Sequence, residues 1–168
     1  MAAEIDVAEI DVAEVCFAAR ALAQSHPMTP VALAYLRRRL ESERSRQPVG
    51  EPADWAGAAM VVGYCLRRTE ENRVARPPVL RDTDAVDLER AAVALAGALR
   101  DGDAGEVTLL PASVTVAALD RLIGTELDKR REHLREQLDD AAWAELSEYL
   151  AWWVVHGYCI RAAEAPGS

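Results

Sequence analysis

One nine-residue stretch of this chain occurs twice, and this repeat limits the possible folds more than any other feature. Val62-Gly-Tyr-Cys-Leu-Arg-Arg-Thr-Glu70 matches His156-Gly-Tyr-Cys-Ile-Arg-Ala-Ala-Glu164 at a constant offset of 94, with five of the nine residues identical. A weaker match joins Thr29-Pro-Val-Ala-Leu33 with Thr115-Val-Ala-Ala-Leu119. Because repeated stretches at equivalent places indicate repeated structural units, we predict a tandem duplication. The chain is then one domain, 1–168, with repeat one at about 4–76 and repeat two at about 82–165.

The composition indicates that both repeats are helical. Of the 168 residues 51% are hydrophobic, which is enough for a core, but only 5% are aromatic. The apolar residues are mainly Ala and Leu, which favour helices, and Ile is scarce. We therefore predict an all-α fold, a six-helix bundle built as two three-helix repeats related by a pseudo-twofold axis.

Apolar spacing and helix-capping residues place three helices in the first half. Apolar residues from Ile5 to Leu22 recur every three or four positions and predict an amphipathic first helix at about 4–24. Thr29 and Pro30 are suited to open a second helix. Asp54 is suited to cap a third, which would run to about residue 76 and end at a Pro-Pro pair.

The second half follows the same order. Asp84 is suited to cap a fourth helix that ends at Asp101-Gly102, and a loop of about a dozen residues follows. Thr115 opens the predicted fifth helix. Asp139 and the aspartate after it open the sixth, whose apolar stretch from Leu150 to Ile160 makes it the expected central helix.

The charge and the cysteine content restrict the partners and the location. The net charge of −9 argues against nucleic acid and against an anionic membrane surface as partners, since phosphate groups require a positive field. The N-terminus is acidic and lacks the apolar run of a secretory signal, so we expect a cytoplasmic, acidic protein. Three Cys without a paired spacing predict neither a disulfide framework nor a structural metal site, and no sequence motif indicates a cofactor.

The repeated stretch is also the most plausible candidate for a functional site. Glycine inside a helix costs about 1 kcal/mol relative to alanine, so Gly63 and Gly157 predict that the third and sixth helices approach closely. The residues around that crossing are the candidate ligand-binding residues: Tyr64, Cys65, His156, Tyr158 and Cys159. The alternative is that they are core residues, because Cys and a hydrogen-bonded His are commonly buried.

Two further groups of polar and aromatic residues remain to be placed. Arg67 with Glu70, and Arg161 with Glu164, have the i, i+3 spacing of pairs on a helix surface. Arg37, Arg38 and Arg39 begin a locally basic segment. Successive residues of a helix point about 100° apart, so Trp152 and its neighbour Trp153 cannot both face the same core. The three arginines and Trp152 therefore form a candidate interaction surface.

These observations favour binding over catalysis. No glycine-rich phosphate loop, hydrolase nucleophile motif or Glu-x-x-His metal motif is present in the sequence. We expect a non-catalytic helical interaction or regulatory (adaptor) protein whose partner is another protein or a second copy of the chain. The alternative is a small-molecule-binding protein or accessory enzyme with its pocket where the third and sixth helices cross.

Overall fold

The computed structural model describes residues 10–25, 28–46, 51–75, 79–82, 84–134 and 136–165. All regular secondary structure within these ranges is helical, as the sequence predicted. The helices are α1 (Val12–Ala23), α2 (Pro30–Arg46), α3 (Glu51–Arg73), α4 (Ala85–Arg100), α5 (Ala104–Val107), α6 (Ala112–Leu134) and α7 (Asp140–Glu164).

Several helix ends lie where the capping residues placed them. The side chain of Asp84 accepts a hydrogen bond from the backbone N–H of Asp87, and Asp139 accepts one from the N–H of Ala142. These carboxylates satisfy N–H groups that have no partner within the helix. At the other end of α4, Gly102 has a φ of 93°, a left-handed conformation that glycine adopts at little cost.

Other predicted boundaries were wrong. The describable part of the chain has seven helices rather than six, because the one-turn helix α5 occupies the segment predicted as a loop. The fifth predicted helix, α6, begins at Ala112 and not at Thr115, whose hydroxyl is buried and hydrogen-bonded to Glu70. The third predicted helix, α3, begins at Glu51, so Asp54 lies inside the helix and not at its N-cap, and it ends at Arg73, before the predicted end at about residue 76. The first predicted helix, about 4–24, begins at Val12, since Ile10 is not helical and Asp11 is the N-cap. The part of that prediction before residue 10, and the Pro-Pro stop, lie outside the described residues.

The core is centred on α3 and α7, which pack against each other along much of their length. Helix α1 covers α3, α4 covers α7, and α6 packs against both α7 and α3. The second half of α7 is buried on all sides, from Val154 to its end apart from Val155. Within the described segments, no helix is both long and apolar enough to cross a membrane.

Candidate functional site

The crossing of α3 and α7 is a direct backbone contact. A Cβ atom added to Gly63 would lie 1.8 Å from the carbonyl oxygen of Val154, and one added to Gly157 would lie 2.0 Å from that of Met60. The two contacts are reciprocal, since Met60 and Val154 are themselves 94 positions apart. Only glycine permits this approach, so the prediction of a close contact at Gly63 and Gly157 is confirmed.

On one side of the crossing lies a buried hydrogen-bonded cluster, which we call the Tyr158 network: Arg67, Glu70, Thr115 and Tyr158. The hydroxyls of Tyr158 and Thr115 donate to the two carboxylate oxygens of Glu70. Arg67 Nη1 donates to the Tyr158 hydroxyl at 3.1 Å, and its guanidinium lies 5.5 Å from the centre of the Tyr158 ring. The Tyr158 hydroxyl therefore joins an arginine and a glutamate of α3.

A matching cluster, the Tyr64 network, lies on the other side: Thr29, Tyr64, Arg161 and Glu164. The hydroxyls of Tyr64 and Thr29 donate to the carboxylate of Glu164. Arg161 Nη1 donates to the Tyr64 hydroxyl at 3.2 Å, and its guanidinium again lies 5.5 Å from the ring centre. Each tyrosine thus reaches across the crossing to the arginine and glutamate of the other helix.

The two arginine–glutamate pairs were predicted on the helix surface, and this prediction was wrong. Glu70 is 0% exposed, and Arg67, Arg161 and Glu164 are 2–3% exposed. The helix crossing buries them, and the tyrosines supply hydrogen bonds that make the burial tolerable. Arg161 has one further ion pair, two hydrogen bonds of 2.9 Å to Glu71.

The tyrosines and cysteines at the crossing are held in their neutral forms. Burial raises the pKa of Tyr64 to about 12, and it raises the pKa values of Cys65 and Cys159 to about 12 as well. Burial also raises the pKa of Glu70, against the lowering effect of its hydrogen bonds. Because a nucleophilic cysteine must be a thiolate, these thiols are apolar packing groups at neutral pH. All three cysteines of the chain are buried and free.

His156 lies in a separate aromatic cluster and not with the tyrosines of the crossing. Its Nε2 atom is 2.8 Å from the hydroxyl of Tyr35, and its ring stacks on Trp152 with centroids 4.4 Å apart. The side chain is 2% exposed, and burial, together with the positive charge of Arg39, lowers its pKa to about 4. The imidazole is therefore neutral over the physiological pH range.

Trp152 closes this cluster on the outside. It is 45% exposed, whereas Trp153 is buried, as their separation around the helix requires. The guanidinium of Arg39 lies 5.9 Å from the centre of the Trp152 ring and forms an ion pair of 3.6 Å with Glu89 of α4. We call this surface the Trp152 patch; it comprises Arg39, Glu89 and Trp152, with Val86 and Val93 exposed three and four positions from Glu89 on α4.

The predicted site residues therefore divide into three groups. Tyr64, Cys65, Tyr158 and Cys159 lie in the closed crossing, and His156 lies in the aromatic cluster. Arg39 and Trp152 come together at the surface, and Arg37 and Arg38 are exposed on the same helix. Sequence reasoning did not identify Tyr35 or Glu89, and no local pattern marks them, because each acts through a residue distant in the chain.

No group of three or more acidic, histidine or cysteine side chains in the described ranges is arranged to hold a metal ion. Neither of the two cavities described, one between α1, α2, α3 and α6 and one near Trp143, is lined by the predicted ligand-binding residues. Comparisons with protein-family models, with curated proteins and with solved structures found no match to this chain.

Proposed function

We propose that this chain is a cytoplasmic, non-catalytic helical interaction protein of the regulatory or adaptor type, which binds its partner through the Trp152 patch. The observation that carries the proposal is the exposed Trp152 ring with the Arg39 guanidinium 5.9 Å from its centre. Tryptophan and arginine are the residues most enriched at the energetic centres of interfaces. Val86 and Val93, 51% and 54% exposed, extend the apolar surface on either side of Glu89.

The occupant that fits this surface best is a second copy of the chain. Next to Arg39 in the chain, Arg37 and Arg38 are exposed on α2, and Asp84 and Asp87 are exposed at the start of α4. A twofold arrangement would bring the cations of one copy to the acids of the other, as self-complementary interfaces require. A protein with a net charge of −9 needs such local pairing to offset repulsion between copies.

The test is light scattering at several protein concentrations. We expect the mass to rise from 18.3 kDa towards twice that value as the concentration increases. Replacing Trp152 by Ala should raise the dissociation constant at least tenfold, since central aromatic residues contribute about 2 kcal/mol or more.

The matched control is Phe17→Ala, because Phe17 is 68% exposed and lies on α1, away from the patch. This variant should associate as the wild type does. A chain that stays monomeric at every concentration contradicts self-association. An equal loss in both variants contradicts the assignment of the interface to the Trp152 patch.

The same proposal includes an origin by duplication, with the two three-helix halves related by a pseudo-twofold axis. It is supported by the reciprocity of the contacts at the offset of 94: Gly63 with Val154 and Gly157 with Met60, and each tyrosine with the opposite arginine and glutamate. Contacts repeated in this way are what a twofold axis produces. Because the α3–α7 crossing is filled by backbone contact, it favours an interaction surface on the outside of the protein over a ligand pocket at the crossing itself.

The second candidate function is small-molecule binding, or accessory enzyme activity, at the α3–α7 crossing. It has less support, because the crossing is filled by backbone contact and its tyrosines and cysteines are 0% exposed. Saturable binding that Tyr64→Phe or Tyr158→Phe abolishes, without loss of stability, would favour it over the first.

A further inference from the structure

A groove of about 770 Å³ opens to solvent between α1, α2, α3 and α6. None of the residues predicted to bind a ligand or a partner lines it. Cavities that bind small molecules have volumes of roughly 300–1,000 Å³ and mainly apolar walls. The volume of this groove is within that range, so it is large enough for a small-molecule ligand. The residues that line it indicate the chemistry of that ligand.

The wall formed by α2 and α3 is apolar. It consists of Leu36, Leu40, Val61 and Val62, together with the small residues Gly57, against which Leu40 packs, and Ala58. From α1, Phe17 stands at the groove with 68% of its surface exposed, and it is the only phenylalanine in the chain. Leaving an apolar ring this exposed beside an apolar groove costs free energy that a bound apolar chain would recover.

The opposite edge, where α1 meets α6, is polar and carries positive charge. Arg20 Nη1 donates to the hydroxyl of Thr125 at 3.4 Å, and Lys129 Nζ is 3.0 Å from Glu126 Oε1. Glu126 also lines the groove; it is 1% exposed and lies 3.8 Å from Arg130 as well, so two cations, Lys129 and Arg130, share its single negative charge. Arg20 forms no ion pair with any described acidic residue, and Lys129 is 50% exposed. The edge thus has a net positive charge in a protein whose total charge is negative.

We propose that this groove binds a single-chain amphiphile with an anionic head, of the class of long-chain carboxylates. The hydrocarbon chain lies along the apolar wall and under Phe17, and the carboxylate lies between the Arg20 guanidinium and the Lys129 ammonium. An ionised head gains charge-assisted hydrogen bonds from both cations. A neutral head forms weaker hydrogen bonds there, and an ammonium head is repelled.

The test is isothermal titration calorimetry of the full chain with three ligands of equal chain length, below their aggregation concentrations. They are dodecanoate, dodecanol and dodecylammonium. We expect one dodecanoate per chain and at least tenfold weaker binding of the other two. Equal binding of dodecanol would refute a role for the cations, and preferential binding of dodecylammonium, or no saturable binding of dodecanoate, would overturn the proposal.

Variants separate the two parts of the site. Replacing both Arg20 and Lys129 by Gln should weaken dodecanoate binding at least tenfold and leave dodecanol binding unchanged, whereas Arg100→Gln, at an exposed cation on α4, should change neither. Ala58→Trp should fill the groove and block dodecanoate, and Ala94→Trp, at an exposed position of α4, is its control. Full affinity in the double variant, or in Ala58→Trp, contradicts the proposed position of the ligand.

Discussion

Replacing Gly63 by Ala should destabilise the protein, although alanine is the better helix former. The new Cβ would lie 1.8 Å from the carbonyl oxygen of Val154, whereas real Cβ contacts are essentially never shorter than 3.0 Å. The atom in the way is backbone, so α3 and α7 must separate, and overpacking of this kind costs about 1–3 kcal/mol or more. The gain in helix propensity returns at most about 1 kcal/mol. Because the clash is with backbone, we expect the cost to lie at the upper end of that range, which leaves a net loss of about 2 kcal/mol for Gly63→Ala and a similar loss for Gly157→Ala.

The matched control is Gly124→Ala in the middle of α6, where a Cβ would meet nothing within 4 Å. There only the propensity term applies, so the variant should be more stable than wild type by about 0.5–1 kcal/mol. Urea unfolding followed by far-ultraviolet circular dichroism measures all three variants under the same conditions. If Gly63→Ala is as stable as wild type, or is stabilised as Gly124→Ala is, the inferred backbone contact is refuted.

Three further predictions concern buried titratable groups. Burial lowers the pKa of His156 to about 4, so the unfolded chain binds a proton more readily than the folded protein does. The wild type should therefore lose about 3 kcal/mol of stability relative to His156→Gln as the pH falls from about 6.5 to about 4. Equal pH dependence of urea unfolding in the two proteins would contradict this. Burial raises the pKa of Glu70 in the folded protein, so the protonated side chain contributes fully to stability below about pH 4.3, and this contribution is lost as the pH rises through the folded-state pKa. The stability of the wild type relative to Glu70→Gln should therefore fall with rising pH. A difference in stability that does not change with pH would contradict this. Because the pKa values of Cys65 and Cys159 are raised to about 12, a chromogenic thiol reagent should modify them only as fast as the protein unfolds, and rapid labelling of the native protein would exclude the closed crossing.

The features that could be predicted from the sequence depend on short-range chemistry. Asp84 and Asp139 cap α4 and α7 through hydrogen bonds to residues three positions further along, which any sequence with that spacing can form. Pro30 opens α2 for an equally local reason. The closeness of Gly63 and Gly157 was predictable because glycine within a helix requires a compensating contact.

The features that could not be predicted depend on which helices become neighbours. The i, i+3 spacing of Arg67 and Glu70 is the same for an exposed pair and a buried one, and only the crossing tyrosine decides between them. Tyr35 and His156 are 121 positions apart, so their contact leaves no local pattern. Helix α5 is four residues long, too short for apolar periodicity to reveal it. The groove is formed by side chains from four helices, and its position follows only from their packing.

The two networks make α3 and α7 interdependent for their folding. If α7 detached, Glu70 and Arg67 would keep their positions but lose the Tyr158 hydroxyl that both contact, and loss of α3 would deprive Glu164 and Arg161 of Tyr64 in the same way. Any intermediate that retained one of the two helices would lose these hydrogen bonds together with the apolar packing of α3 against α7 at the centre of the core. Denaturation should therefore be a single cooperative transition, in which the calorimetric and van't Hoff enthalpies agree, even though the chain contains several helices.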